Sequence, residues 1–246
     1  MQTIVQITDL TKTFKKQKAV DNVTINVNKG DIYGFIGENG AGKTTIMKMI
    51  TGLHSPTSGE IKLFGNTDLK QGRRKIGATI ENPALYLHMT AYENMEVQRL
   101  MLGIEDKEKC TEILQLAGMS DTGNKKAKNF SLGMKQRLMI ALALLGDPEL
   151  LILDEPTNGL DPMGIKEMRD FLQELNQKRG ITIFISSHIL GELQKITTRY
   201  GIITKGVMLA EFDAHELETM GVTDLEDYYL ELMYRHRYEK EGVTYA

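Results

Sequence analysis

The 246-residue chain is poor in cysteine, tryptophan and proline, with one, none and five of them. The single cysteine, Cys110, excludes an internal disulfide and is typical of a reducing compartment. The longest apolar run, residues 138–145, is far shorter than the ~18–20 apolar residues that cross a bilayer. The first ten residues lack the pattern of a signal peptide, so we expect none. Work at a membrane would therefore need a second chain to span it.

Strong charge of either sign is also missing. The formal net charge is −3 and the pI is about 6.0, so the chain has no global basic field and we expect no nucleic-acid partner. Its 41% apolar and 26% charged residues predict a soluble domain with a proper core. The length fits one large domain, or a core with a subdomain.

Hydrophobic patterning predicts an α/β fold. Residues 3–10 and 20–27 alternate apolar and polar side chains, as half-buried antiparallel strands do. After residue 148, LLILD and ITIFISS each precede a predicted helix, the order of a parallel sheet covered by helices. A helix over 43–51 and strands near 60–64 and 75–80 are expected between these parts.

Residues 83–146 have almost no strand pattern and carry apolar residues at helical spacing, which predicts a helical insertion. Near the C-terminus, one face of a short predicted helix carries Leu225, Tyr228, Tyr229 and Leu232. A face packed against the chain's own core is favoured over a partner site, and residues 237–246 are predicted to be a solvated end.

Residues 37–45, GENGAGKTT, follow an apolar strand and open a helix. Gly37, Gly42, Lys43 and Thr44 fit the phosphate-loop pattern GxxxxGK[ST]. Glycines let amide groups approach phosphate oxygens, lysine and the helix N-terminus add positive charge, and the threonine hydroxyl can ligate Mg²⁺. A nucleotide phosphate site is predicted here, in preference to an ordinary glycine turn.

Two carboxylates and a histidine end the later strands. Asp154 closes LLILD at the edge where open α/β sheets bind ligands, and can hold Mg²⁺ through water. Glu155 is then placed to act as general base, although such a pair can also cap a helix. His188 ends IFISSH and either has a structural role or orients Glu155 and the attacking water.

The segment FSLGMKQR, residues 130–137, opens an apolar helix with Ser131 and Gly133 and so has the features of a second anion site. The alternative is that Ser131 is a plain N-cap.

Together, GENGAGKTT, FSLGMKQR, LLILDEPTNGLDP and SSH resemble the ATP-binding subunit of ABC transporters over about residues 3–205. The resemblance implies a P-loop NTPase with a RecA-like core, an antiparallel β portion and an inserted helical subdomain. We expect a single domain with its core in 1–82 and 147–212, the helical subdomain in 83–146 and a short helical tail in 213–246.

The resemblance also implies ATP and Mg²⁺ as cofactors and assigns residues to them. Lys43, Glu155 and His188 are the expected catalytic residues, and Thr44, Glu81 and Asp154 the expected metal ligands. Phe14 resembles the aromatic that stacks on adenine, with a buried strand residue as the alternative. The remaining expected nucleotide contacts of the chain's own site are Val20, Gly37, Asn39, Gly40, Ala41, Gly42 and Thr45.

In the family, two ATPase subunits face each other head to tail, and each ATP lies between one phosphate loop and the other subunit's signature motif. FSLGM is similar to that signature, so Ser131 and Gly133 are expected to contact the γ-phosphate of the partner's ATP. Asp161, in GLDP, resembles the loop that crosses this interface.

The chain departs from the family pattern in two motifs. Leu132 and Met134 replace a glycine and the glutamine of the usual signature LSGGQ. Glu81 stands where glutamine is common; a carboxylate only accepts hydrogen bonds and adds negative charge near the metal. Glu81 with FSLGMKQR is similar to the ATPases that protect bacteria against lantibiotics and bacitracin-like peptides.

The expected function is therefore an ATPase that closes as a homodimer at the cytoplasmic face of the membrane and drives peptide export through a separate permease. Other cargo (lipid, polysaccharide, drug) is the alternative within the family. A soluble ABC protein acting on ribosomes is disfavoured by the single ATPase domain, and a non-hydrolysing ATP sensor by the intact catalytic residues. The methionines are expected to fill gaps in helix packing, with a docking face near residues 89–101 as the alternative.

Overall fold

The computed structural model describes residues 2–81, 85–222 and 224–241. Its strands are β1 (Thr3–Phe14), β2 (Gln17–Asn28), β3 (Ile32–Ile36), β4 (Ser58–Leu63), β5 (Ile76–Thr79), β6 (Leu150–Asp154), β7 (Thr182–Ser187), β8 (Arg199–Thr204) and β9 (Val207–Asp213). Its α-helices are α1 (Lys43–Thr51), α2 (Leu69–Arg73), α3 (Ala91–Met101), α4 (Glu108–Leu116), α5 (Leu132–Leu144), α6 (Pro162–Arg179), α7 (Leu190–Leu193), α8 (Ala214–Thr219) and α9 (Leu225–Glu241). Short 3₁₀ turns occupy Ser120–Thr122 and Ala127–Asn129.

The N-terminal strands form an antiparallel sheet in the order β2-β1-β4. Val5 of β1 lies opposite Val27 of β2 and Leu63 of β4, and all three side chains are buried. The strands extend beyond the alternating segments that predicted them, and the added part of β1 contains the register shifts around Lys12 that break the period-2 pattern.

A second sheet, in the order β5-β6-β7-β3-β8-β9 among the described residues, is parallel except for the pairing of β8 with β9. Successive side chains of a strand point to opposite faces. In β3, Ile32 and Ile36 join one hydrophobic cluster, whereas Tyr33 and Phe35 join the other. Burial of both faces explains why β3, β6 and β7 read as nearly continuous apolar runs in the sequence.

Different elements cover the two faces of this sheet. One cluster includes α1 and the antiparallel sheet, with Met47 and Met49 fully buried. The other cluster includes α3 to α6 and the C-terminal helices. The helices α3, α4 and α5 lie between β5 and β6 in the chain, and Thr90 starts α3 with a capping box that includes Glu93.

The C-terminal part differs from expectation in three ways. The helix predicted after β7 is only α7, because the chain turns into β8, a strand that the sequence pattern did not reveal. The helix α9 has 17 residues and is longer than the short helix predicted. It also includes residues 237–241, which were predicted to be a solvated end; residues 242–246 lie outside the described residues.

The predicted packing face of α9 is confirmed. Leu225 is fully buried, and Tyr228, Tyr229 and Leu232 pack against the same cluster. The Tyr228 ring meets Phe212 of β9 edge to face, with 5.3 Å between the ring centres. No helix in the described ranges is long and apolar enough to cross a membrane.

The stacked pair of Tyr33 and Phe184 at the centre of the parallel sheet should contribute strongly to the stability of the fold. Their rings lie 5.0 Å apart, and both side chains are fully buried. We expect Phe184→Ala to lower the free energy of unfolding by about 3–5 kcal/mol, because it leaves a cavity that the sheet cannot close. Urea denaturation checks this. Leu53→Ala, at an exposed site, is the control and should change the free energy by less than about 0.5 kcal/mol.

Candidate nucleotide-hydrolysis site

The phosphate loop joins β3 to α1 and requires glycine at two of its positions. A Cβ on Gly37 would lie 2.4 Å from the carbonyl oxygen of Ile203. Gly42, at φ 111°, has a backbone conformation that L side chains rarely adopt, and its Cβ would lie 2.7 Å from the carbonyl oxygen of Ala19. The loop is therefore packed closely against β8 and β2.

Lys43 is the first residue of α1 and only 6% exposed. Its Nζ donates to the Gly37 carbonyl oxygen at 2.5 Å and lies 3.4 Å from Glu155 Oε1. The ammonium is thus fixed between the start of the loop and the carboxylate that follows β6. A lysine in this position can bind phosphate oxygens and neutralise their charge.

Asp154 ends β6 and is held by two hydroxyl donors. Thr44 Oγ1 donates to Asp154 Oδ2 at 2.8 Å, and Ser186 Oγ donates to Asp154 Oδ1 at 2.6 Å. A hydroxyl and a carboxylate are hard oxygen donors, so Thr44 and Asp154 fit a Mg²⁺ site completed by phosphate and water. Sequence reasoning missed Ser186, since only the register that pairs Asp154 with Ser186 reveals its role.

Glu155 takes a left-handed backbone conformation, at φ 51°, and its amide donates to Ser186 Oγ at 2.9 Å. His188 Nδ1 lies 2.7 Å from Glu155 Oε2, which fixes the carboxylate in one orientation. The other oxygen, Oε1, is buried and accepts no hydrogen bond within the described part of the chain. Asp161, rather than Asp154 or Glu155, caps α6, so the helix-cap alternative for the pair is wrong.

Glu81 follows β5 at the same edge of the sheet, but its carboxylate hydrogen-bonds to neither Thr44 nor Asp154. Its Oε1 pairs with Lys48 Nζ of α1 at 2.6 Å. The structure therefore places this predicted metal ligand on a lysine that sequence reasoning did not single out.

Phe14 ends β1 and is 43% exposed, so the alternative of a buried strand residue is wrong. Its ring meets His54 edge to face at 5.5 Å, and the Lys12 ammonium lies over the ring, 5.0 Å from its centre. Val20 is fully buried in the core beside Gly42, so its side chain supports the loop from within. Of the remaining predicted loop contacts, Ala41 is buried, Thr45 is half-buried, and Asn39 and Gly40 are exposed.

Ser131 and Asp161 lie at the N-termini of two adjoining helices. Ser131 caps α5 by accepting from the Met134 amide at 3.2 Å, and Asp161 caps α6 by accepting from the Gly164 amide at 2.8 Å. Gly133 lies beside Leu160, and Gln136 Nε2 donates to the Asn158 carbonyl oxygen at 3.2 Å. These contacts join the predicted signature motif to the loop that precedes α6. They confirm the N-cap role of Ser131 and leave Ser131 and Asp161 exposed.

A cavity of about 530 Å³ adjoins the phosphate loop on the side of α9. Glu38 of the loop and Lys205 line one wall, and Tyr229 and Met233 of α9 line the other. Burial raises the pKa of Tyr229, and the nearby Glu38 carboxylate raises it further. The C-terminal helix is thus part of the surroundings of the phosphate loop.

The family model described as ABC transporter matches residues 20–158. The chain is 51% identical over 221 residues to the bacitracin transport ATP-binding protein BcrA of Bacillus licheniformis, covering 89% of this chain and 72% of that protein. It is 45% identical over 215 residues to the lantibiotic transport ATP-binding protein SrtF of Streptococcus pyogenes, covering 87% and 93%.

A solved dimeric ATP-binding cassette in a post-hydrolysis state, bound to ADP and Pi, superposes with a TM-score of 0.77 and 27% identity over 86% of this chain and 99% of that one. The P-loop NTPase fold class predicted from the sequence is confirmed. This chain belongs to the ABC transporter family, as one of its ATP-binding, ATP-hydrolysing subunits.

Proposed function

We propose that this chain binds Mg·ATP at the site built on Lys43, Thr44, Asp154 and Glu155, closes head to tail with a second copy, and drives export of bacitracin-like or lantibiotic peptides. A separate permease would carry the peptide, with this chain at the cytoplasmic face of the membrane. The observation that carries the hydrolysis step is the contact of His188 with Glu155 at 2.7 Å, beside the Lys43 ammonium.

The chain's own residues divide the work of hydrolysis. Lys43 and the loop amides bind the phosphates, and Thr44 with Asp154 would hold Mg²⁺, which offsets the phosphate charge. Glu155 accepts the proton of the attacking water, since its carboxylate lies at the carboxyl edge of the sheet and is fixed by His188. Ser186 acts through Asp154 and the Glu155 amide and is therefore a positioning residue.

Dimer formation is proposed because the chain has a second anion-binding group, the N-terminus of α5, that is separate from its phosphate loop. The side chains of Ser131 and Asp161 are exposed and contact their own helix N-termini. A helix N-terminus attracts anions, so α5 can bind the γ-phosphate held by a second copy. The structural relative with ADP and Pi is itself described as dimeric, which supports this arrangement.

The names of BcrA and SrtF support peptide export as the transport task.

A docking surface for a membrane partner is proposed on residues 85–102. Six large apolar side chains are exposed there, namely Tyr86, Leu87, Tyr92, Leu100, Met101 and Leu102. The methionines here divide between the two alternatives: Met95 is buried in the core, as expected for a residue that fills a packing gap, and Met101 is 70% exposed. Exposed apolar groups of this number are typical of an interaction site.

Capture from the native host tests the transport proposal. Tagged Glu155→Gln protein would be loaded with Mg·ATP and purified from gently solubilised membranes. A multi-span membrane protein at near one-to-one ratio supports the proposal. Ribosomes, or a self-dimer alone, would favour a soluble ABC role.

Loss of resistance to bacitracin or a lantibiotic on deletion of the gene supports the peptide cargo, whereas unchanged resistance to all of them would favour other cargo.

Replacement of the proposed general base should separate ATP binding from ATP turnover. Glu155→Gln should retain ATP binding and lower turnover by at least ~10²-fold, the scale of losing a general base. Phosphate release and binding of a fluorescent ATP analogue measure the two quantities. Glu174→Gln, a matched change on the outer face of α6, should leave both unchanged. Near-normal turnover in Glu155→Gln would remove Glu155 as the base.

Replacement of the signature serine predicts loss of dimerisation alone. Ser131→Arg should block ATP-dependent dimerisation of the Glu155→Gln protein by its bulk, while the monomer still binds ATP. Size-exclusion chromatography with and without Mg·ATP measures the dimer. Ser120→Arg, at another exposed position before α5, is the control. Equal loss of ATP binding and dimerisation in Ser131→Arg would mean that Ser131 serves its own subunit's nucleotide.

A charge on the proposed docking surface should uncouple the membrane partner. We expect Leu100→Asp to remove the membrane protein from the capture experiment while the ATPase activity of the purified chain persists. Leu53→Asp is the matched control, because Leu53 is 65% exposed and Leu100 63%. Unchanged capture with Leu100→Asp would exclude this surface.

A further inference from the structure

Lys48 lies on the helix that the phosphate loop opens, one turn beyond the proposed metal ligand. Thr44 and Lys48 are four residues apart on α1, so their side chains share one face and are separated by about 6 Å along the axis. On that face the Thr44 hydroxyl donates to Asp154 at 2.8 Å, and the Lys48 ammonium binds Glu81 at 2.6 Å. Two contacts therefore tie one face of α1 to the ends of β6 and β5.

The register of the parallel strands brings Glu81 to the edge that carries Asp154. Thr79 of β5 lies opposite Leu153 of β6, so Asp154, the last residue of β6, and Glu81, two residues after β5, lie at the carboxyl ends of paired strands. The Lys48 side chain is 20% exposed and that of Glu81 62%. Lys48 thus holds the Glu81 carboxylate, which is otherwise open to solvent.

The backbone of Glu81 also requires an interaction that holds it. Its φ is 58°, in the left-handed region that residues other than glycine, asparagine and aspartate rarely adopt. A charge-assisted hydrogen bond at 2.6 Å stabilises this conformation. A glutamine at this position would give Lys48 only a neutral acceptor and a weaker bond.

We propose that Lys48 is a positioning residue for Glu81. The Lys48 ammonium holds the Glu81 carboxylate on α1 and competes for that carboxylate with the metal site of Thr44 and Asp154. Removing Lys48 frees the carboxylate to approach the metal ligands, and Mg²⁺ is then held more tightly. Lys48 thereby sets the Mg²⁺ concentration at which the site is filled. This inference rests on the proposed function, since it concerns regulation of the same site.

The first arm of the test uses protein without nucleotide and measures hydrogen exchange over residues 76–81. Lys48→Gln should speed exchange there, because the tether between α1 and the end of β5 is lost. Lys178→Gln is the matched control, since Lys178 pairs with Glu174 at 2.9 Å on the surface of α6. Equal exchange in Lys48→Gln and the unsubstituted protein would overturn the tether.

The second arm measures the Mg²⁺ concentration that gives half-maximal binding of a fluorescent ATP analogue. Lys48→Gln should lower it roughly two- to fivefold, the scale of a partly exposed ion pair. In the Glu81→Gln background the same change should have a clearly smaller effect. An equal shift in both backgrounds would mean that Lys48 acts through its charge alone, and would overturn the proposal.

The two arms separate this inference from the proposed function. An unsubstituted protein that binds no ATP analogue would overturn the proposed function, while the exchange measurement still judges the tether. Normal ATP binding with additive effects of Lys48→Gln and Glu81→Gln would overturn the inference alone.

Discussion

The register between β6 and β7 is the constraint on which the rest of the site depends. It sets Asp154 opposite Ser186. The Ser186 hydroxyl donates a hydrogen bond to the Asp154 carboxylate and accepts one from the Glu155 amide. Glu155 then turns through a left-handed conformation toward His188, at the end of the neighbouring strand. A slip of one residue would move every one of these side chains to the opposite face of the sheet. The buried apolar faces of both strands therefore fix the chemistry as well as the core.

Charge balance is the second constraint. Asp154, Glu155 and Glu81 follow neighbouring parallel strands, so three carboxylates lie at one edge of the sheet. Lys43 reaches Glu155 and Lys48 reaches Glu81, whereas Asp154 is held by neutral hydroxyls. The carboxylate without a cation is the one proposed to hold Mg²⁺, and both lysines project from the helix that begins at the phosphate loop. Each of these three carboxylates thus has its own counter-charge or a proposed metal-binding role.

Short-range patterns were enough to predict much of this arrangement. The spacing of Gly37, Gly42, Lys43 and Thr44 and the apolar runs before Asp154 and His188 depend on local sequence, and the structure brings Thr44, Asp154, Glu155 and His188 together at one edge. Ser186 and Lys48 could not be found in this way, because their partners are 32 and 33 residues away in the chain. β8 and β9 were missed because glycine, arginine and glutamate interrupt their apolar pattern, whereas pairing with β3 fixes β8 as a strand. Non-local pairing overrides weak local preference in such strands.

The departure of Glu81 from the common glutamine illustrates how one substitution changes the requirements on a neighbour. An amide at this position is neutral and both donates and accepts hydrogen bonds, whereas a carboxylate brings a negative charge that must be offset. Lys48 offsets it from a helix whose position is already set by the phosphate loop. The charge therefore does not disturb the fold, but it couples the end of β5 to the face of α1 that carries Thr44. In a chain with glutamine here, the lysine would donate to a neutral amide oxygen, and that coupling would be weaker. The acidic residue thus ties the end of β5 to Lys48 on α1, beside the proposed metal site rather than in it.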